Sequence, residues 1–260
     1  SAQSQQISKL KGELSTRLLP RRYTGVTPTQ AGLAFLHPAQ LTLRHDDAAV
    51  LAAQQARLSG HVSVGLAPTT ASVLGVALMQ AMQARYPEVR LHLEELPSHA
   101  TSHRGAQAVV RIVPAGRLAD PLATPFIQNH IGPVMTPALA RRFAADPLAA
   151  PRLAAQSHPQ GWAIWAAVAG VELAPAPEQP FAHLHFAMDA ALAGLGVAIL
   201  PWPLVAEDVA EGRLAAPLGF RRTETAFALL AAPGEDSRPL AAFRKWLVAQ
   251  GAMTPPPPTG

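Results

Sequence analysis

His61-Val62-Ser63-Val64-Gly65-Leu66-Ala67-Pro68-Thr69-Thr70-Ala71-Ser72, continuing as VLGVALMQAMQARYPEVRLHLEE from Val73 to Glu95, decides the fold. Residues 61–66 alternate polar and apolar, as a strand with one buried face does. Residues 73–85 read as a helix that Pro87 closes. Val89, Leu91 and Leu93 then mark a second alternating strand. Strand–helix–strand implies a right-handed crossover and a parallel pair, which puts the chain in the α/β class. The hydroxyls of Thr69, Thr70 and Ser72 fall where the strand ends and the helix begins. Free backbone amides and the helix dipole converge there, so the place suits a carboxylate or other anion. Plain capping of the helix would use the same residue types, and spacing does not separate the two readings.

Outward from this unit, composition removes whole classes. The 260 residues are 49% hydrophobic and 15% charged, enough for one globular protein of one or two domains. No run of about 18 consecutive strongly apolar residues occurs, so no membrane span is predicted. No charged start followed by an apolar run marks a secretory signal. With no cysteine, these residues form no disulfide, thiolate metal site or cysteine nucleophile, which fits a cytoplasmic protein. A net charge of +4 permits an anionic partner without demanding one. Glu94, Glu95, Asp189 and the histidines are scattered, with no HExxH and no carboxylate pair near a glycine loop. Gly194-Leu195-Gly196 lacks the third glycine and the acid of a dinucleotide site, and it follows a helix. His183 and His185, taken as a strand pair, supply two ligands, too few for a metal. We therefore expect no cofactor, no metal and no enzyme.

Upstream, SAQSQQISKLKGELSTRLLPRRYTGVTPTQAG opens the chain. Ile7, Leu10 and Leu14 share one helical face, while Ser1, Gln5, Ser8, Lys9 and Gly12 share the other. Side chains that donate and accept on a slim helix are what base edges and phosphates require. Arg17, Arg21 and Arg22 follow closely, a set suited to phosphate contacts. Thr27, Pro28 and Gln30 then read as the start of a helix: cap, first position and capping partner. That helix can run to Leu58, with Gly60 as its stop signal. Leu36, Leu43 and Val50 lie seven apart on it, the repeat of a helix packed along a partner helix. Pro38 lies inside it, where proline costs about 3 kcal/mol or forces a kink.

This run resembles the recognition helix, wing and linker-helix start of the bacterial LysR-type transcriptional regulators. Relative to that family, it begins after roughly the first helix of the helix-turn-helix. Lys11 stands where the family favours glutamate, and Ser15 where it favours glycine. Farther on, residues 108–112, 131–140, 158–170 (HPQGWAIWAAVAG), 185–201 (HFAMDAALAGLGVAILP) and 207–217 resemble the subgroup of glycine-cleavage activators and β-lactamase regulators. Residues 97–107 match least well. Trp162 and Trp165, three apart on one helical face, read as packing residues.

The resemblance implies a two-subdomain, periplasmic-binding-protein-like effector domain preceded by a partial winged helix-turn-helix and a long linker helix. The expected boundaries are 1–27 for the DNA-binding part and 28–59 for the dimerising linker helix. The effector domain is 60–253, with subdomain I at 60–127 and 235–252 and subdomain II at 128–234. Residues 254–260 are an expected disordered, proline-rich tail. The expected partners are promoter or operator DNA, a small-molecule effector, and further copies of the chain in a homodimer or homotetramer; no membrane is expected. Ser1, Ala2, Gln5, Ser8, Lys9, Arg21, Arg22 and Thr24 would meet DNA. Thr69, Thr70 and Ser72 would meet the effector from one side, and His183, His185 and Phe186 from the other. In the subgroup the matching places carry hydroxyl residues; here the second side carries histidine. Two facing helix N-termini favour an anion. A transporter's solute-binding protein would share this body fold but would not carry residues 1–58.

Overall fold

A computed structural model describes residues 29–31, 33–35, 58–97 and 103–258. The chain divides into two units, Ser1–Arg57 and Leu58–Gly260. In the first, Gln30, Ala31 and residues 33–35 are helical, with the Leu33 amide donating to the Thr29 carbonyl at 2.8 Å. Ser1, Ala2, Gln5, Ser8, Lys9, Arg21, Arg22 and Thr24 lie outside the described residues, as do Leu36, Pro38, Leu43 and Val50.

The second unit is built on one eight-stranded mixed sheet in the order β2-β1-β3-β8-β4-β7-β5-β6. Its strands are β1 (Gly60–Leu66), β2 (Val89–Glu95), β3 (Ala108–Pro114), β4 (Ala123–Val134), β5 (Arg152–Ala155), β6 (Glu178–Phe181), β7 (Val197–Pro201) and β8 (Arg221–Ala231). The first crossover is as expected: β1 and β2 pair in parallel, Gly60 opposite Val89, through α1 (Pro68–Arg85). What the alternation did not announce is the middle of the sheet. Three parallel strands on each side flank a central antiparallel pair, β8 and β4.

Three cores form along this sheet. Val62, Val64 and Leu66 of β1 pack with Met82 and Tyr86 of α1 and with Phe243, Trp246 and Leu247 of α6 (Arg238–Met253). Each such side chain contributes roughly 1.5–3 kcal/mol when fully buried. On the other half, β7 is buried at all five residues, VAILP, because helices cover both faces. Its Ala198 and Leu200 face α4 (Leu184–Leu192) and α5 (Trp202–Ala210), while Val197 and Ile199 face α2 (Pro137–Arg142) and α3 (Gly161–Ala169). Trp162 and Trp165 pack edge to face there, 6.2 Å apart, so they are packing residues as read. Gly196 precedes β7 with the Pro151 carbonyl oxygen against the place where a Cβ would stand, so no larger residue fits.

Within the expected tail, residues 254–258 are described, and two of its prolines accept hydrogen bonds. The Trp202 indole N–H donates to the Pro255 carbonyl at 2.7 Å, and the Phe220 amide donates to the Pro258 carbonyl at 3.0 Å. Proline removes donors but leaves carbonyls free to accept, so an extended proline run still docks on a surface that presents N–H groups.

Candidate functional site

The carboxyl end of β1 and the start of α1 form one wall of a cleft. α1 begins at Pro68, earlier than the apolar periodicity suggested, so Thr69 and Thr70 sit inside its first turn and not at its cap. Both are buried. Thr69 reaches across to α4: its Oγ1 accepts from the His185 backbone N–H at 3.3 Å and lies 3.5 Å from His185 Nδ1. The first amides of a helix have no intrahelical partner, and the N-cap of α4, His183, provides no side-chain cap. A threonine of one helix therefore caps the other. Thr70 makes no such link and lines the cavity beside it.

The remaining expected residues separate. His183 and His185 stack at 5.5 Å and 12°, on a helix start and not on a strand, so the pairing pictured from sequence is replaced by ring contact. Nδ1 of His183 is buried without a partner. His183 lines a separate opening of about 460 Å³ with Pro68, Pro97 and Ser157. Phe186 lies 4.2 Å from the His185 ring and turns outward, 46% exposed. Ser72 is also exposed and does not line the cavity of Thr69 and Thr70. Among the described residues no cluster of three or more histidine or acidic side chains is placed to hold a metal.

Sequence reasoning missed the charge at the centre. Arg111 of β3 lines the same cavity as Thr69 and Thr70. Its Nη1 donates to the Val110 carbonyl at 3.1 Å and its Nη2 to the Pro97 carbonyl at 3.4 Å, while Nε is buried with no partner. Among the described residues no carboxylate pairs with it. Burial without a counter-charge pulls its pKa down. The signal was available: an arginine inside the apolar strand AVVRIV is a cation that must be paid for by something.

Next to it, a second compartment of about 310 Å³ opens, sharing Ile112, His158, Leu184 and Pro201 with the first. His158 has its Nδ1 3.3 Å from Ser157 Oγ, and burial lowers its pKa. Asn129, Thr223 and Thr225 form a polar patch on the lining of this compartment. Together the two spaces can take a small molecule with an anionic end, held by hydrogen bonds and by two helix N-termini.

Comparison with known proteins follows the same lines. The family described as the LysR substrate binding domain matches residues 55–252. The chain is 39% identical over 151 residues to the HTH-type transcriptional regulator TrpI of Pseudomonas aeruginosa, covering 55% of this chain and 51% of that protein. The matched stretch thus spans about half of TrpI. Against the HTH-type transcriptional activator AmpR of Rhodobacter capsulatus the identity is 27% over 261 residues, covering 97% of this chain and 88% of that one. Among solved structures, the AmpR effector binding domain from Citrobacter freundii superposes with a TM-score of 0.63 at 21% identity, over 75% of this chain and 100% of that one.

Proposed function

The chain belongs to the LysR family through its substrate-binding domain, and on that premise we propose that it is a transcriptional regulator whose cleft senses an anionic small molecule. One observation carries the ligand class: Arg111, half-buried, lines the same cavity as Thr69 and Thr70, with no carboxylate against it among the described residues. Removing a cation from water without a partner is costly, and a bound carboxylate or similar anion supplies the partner. The first-turn amides of α1 add donors on the same side.

Residues 60–127 with 235–252, and residues 128–234, act in this reading as two subdomains across the cleft. A ligand that prefers one arrangement of them shifts the population of that arrangement, and the shift passes to DNA through the linker helix of a homodimer or homotetramer. DNA is met by Ser1, Ala2, Gln5, Ser8 and Lys9 and by Arg21, Arg22 and Thr24. The protein works in the cytoplasm and performs no catalysis. Among the described residues no helix is long and apolar enough to cross a membrane.

The test is a melting experiment on the 260-residue chain with a panel of carboxylates, each beside its uncharged amide. At least one carboxylate should raise Tm where its amide does not, and Arg111→Met should remove the rise. A panel in which amides stabilise as well as acids sinks the anionic reading. The DNA reading is checked by gel shift: Lys9→Ala and Arg22→Ala should each weaken operator binding and flatten its salt dependence.

A further inference from the structure

Residues 254–258, Thr-Pro-Pro-Pro-Pro, follow α6 directly. Sterics alone choose their conformation. Proline fixes its own φ at about −65°, and a residue before proline is driven out of the helical region. Thr254, at φ −61° and ψ 124°, already stands in the extended state. A run of prolines continues as a polyproline II helix, with three residues per turn and no internal hydrogen bonds. Its carbonyls are satisfied from outside, and carbonyls three residues apart face the same way. Pro255 and Pro258 are such a pair. Both find donors, the Trp202 indole N–H at 2.7 Å and the Phe220 amide at 3.0 Å. Thr254 and Pro257, again three apart, are half-buried, while Pro255, Pro256 and Pro258 are exposed.

The two donors share one core. Trp202 opens α5 and Phe220 precedes β8; their rings meet edge to face at 5.0 Å, both buried with Leu200 of β7 and Leu204 of α5. α6, by contrast, buries Leu240, Phe243, Trp246 and Leu247 in the core of β1 and α1, on which Phe126 of β4 also packs. Its last turn is pinned there, since a Cβ on Gly251 would collide with the Phe126 carbonyl oxygen. Farther along β4, Gly132 lies against Phe220, whose Cδ1 stands 2.9 Å from the place of the missing Cβ. The proline run therefore leads from the Phe126 side of β4 to its Gly132 side, out of one core and onto the other.

Resting on the two-subdomain reading above, we propose that Trp202 and Phe220 form a docking site for a proline helix, filled by residues 254–258 of the same chain. The docked run is then a third crossing between the subdomains, beside β4 and β8. Those two strands pair with each other, but their register shifts between Pro125 and Ile127 and again between Gln128 and His130. A ladder interrupted in this way bends and twists more than a regular one. A polyproline strut alongside resists that bending, because its φ angles cannot turn. It limits how far the subdomains rotate about β4 and β8, and so how readily the cleft opens.

Site-resolved hydrogen exchange on the 260-residue chain and on a variant cut after Met253 tests this. Three amides report. Phe220 N–H bonds the run itself, and His185 N–H bonds Thr69 across the cleft. Val64 N–H lies within β1, between Leu93 and Ala108 of the flanking strands. Without the run, Phe220 should exchange about tenfold faster, the scale of one lost hydrogen bond. His185 should exchange about threefold faster as the walls part more often, with Val64 unchanged. A rise at Phe220 alone means a docked run that restrains nothing, and it overturns the crossing. A rise of all three alike is general destabilisation and overturns it too, while no change at Phe220 overturns the docking itself. Should the shortened chain fail to fold, Pro256→Gly with Pro257→Gly keeps both accepting carbonyls and removes only stiffness. His185 should then exchange about threefold faster, and an unchanged rate sinks the proposal. No ligand enters these measurements, so their failure leaves the effector reading standing, and that reading falls only with the carboxylate panel.

Discussion

Two helices start on facing walls of the cleft, and they complete their first turns differently. α1 begins with Pro68 and buries Thr69 and Thr70 in its first turn, with no side-chain cap. α4 begins at Leu184 after the N-cap His183, also without a side-chain cap of its own, and borrows the hydroxyl of Thr69 from the opposite wall. One wall therefore gives a hydroxyl to hold the other and keeps its neighbour, Thr70, for the cavity. Adjacent threonines of identical chemistry thus divide the work: one joins the walls and one is available to a ligand. That division can be broken experimentally.

The largest effect is expected from Arg111→Met, which keeps much of the stem and removes the charge. Carboxylate affinity measured by calorimetry should fall by about a hundredfold, the scale of losing a charge-assisted partner in a desolvated site. Tm without ligand should not fall, because an uncompensated cation leaves the interior. A large drop in unliganded Tm would make the arginine a structural residue.

Thr70→Val should cut carboxylate affinity by about tenfold and leave the unliganded Tm within a few degrees. Thr69→Val should do the reverse first. It orphans the His185 amide at a cost of about 1 kcal/mol, or roughly 2–4 °C in a domain of this size. If the two variants melt alike without ligand, the walls are not joined through Thr69 and the comparison fails.

His158 gives a pH signature. Burial lowers its pKa below the ordinary value of 6.5, so the folded chain resists a proton that the unfolded chain accepts. Its contribution is complete above the unfolded pKa and is lost as pH falls from there through the folded one. Tm should therefore drop on acidification below about pH 6.5, and His158→Gln should shallow that drop. An unchanged slope would mean that other groups set the acid limb. The smallest effect is expected from Trp202→Phe, which deprives the Pro255 carbonyl of its donor. It should lower Tm by about 1–3 °C in a differential scan.

Sequence reading was strongest where information is local. The alternation of residues 61–66 and 89–95 and the helical stretch between them carried the first crossover. It was weakest where partners are remote. Thr69 meets His185 across 116 residues, and Asn129 meets Thr225 across 96. No spacing rule joins positions that far apart. Ser72 was included because hydroxyls cluster in sequence, yet it is exposed and does not line the cavity of Thr69 and Thr70. Arg111 was passed over for the opposite reason: it stands among valines, and alternation treats it as one more strand residue.

The docked proline run bears on strand pairing. Pro255 and Pro258 give carbonyls to Trp202 and Phe220, but prolines have no N–H to return. A strap made of them covers backbone at the start of β8 while offering a newcomer no donor ladder to extend. Residues 255–258 thereby satisfy the Phe220 amide just before β8 with a segment that has no N–H of its own to pass on. A terminus rich in valine or threonine, docked by the same two carbonyls, would leave an open row of donors there and invite fibrous growth.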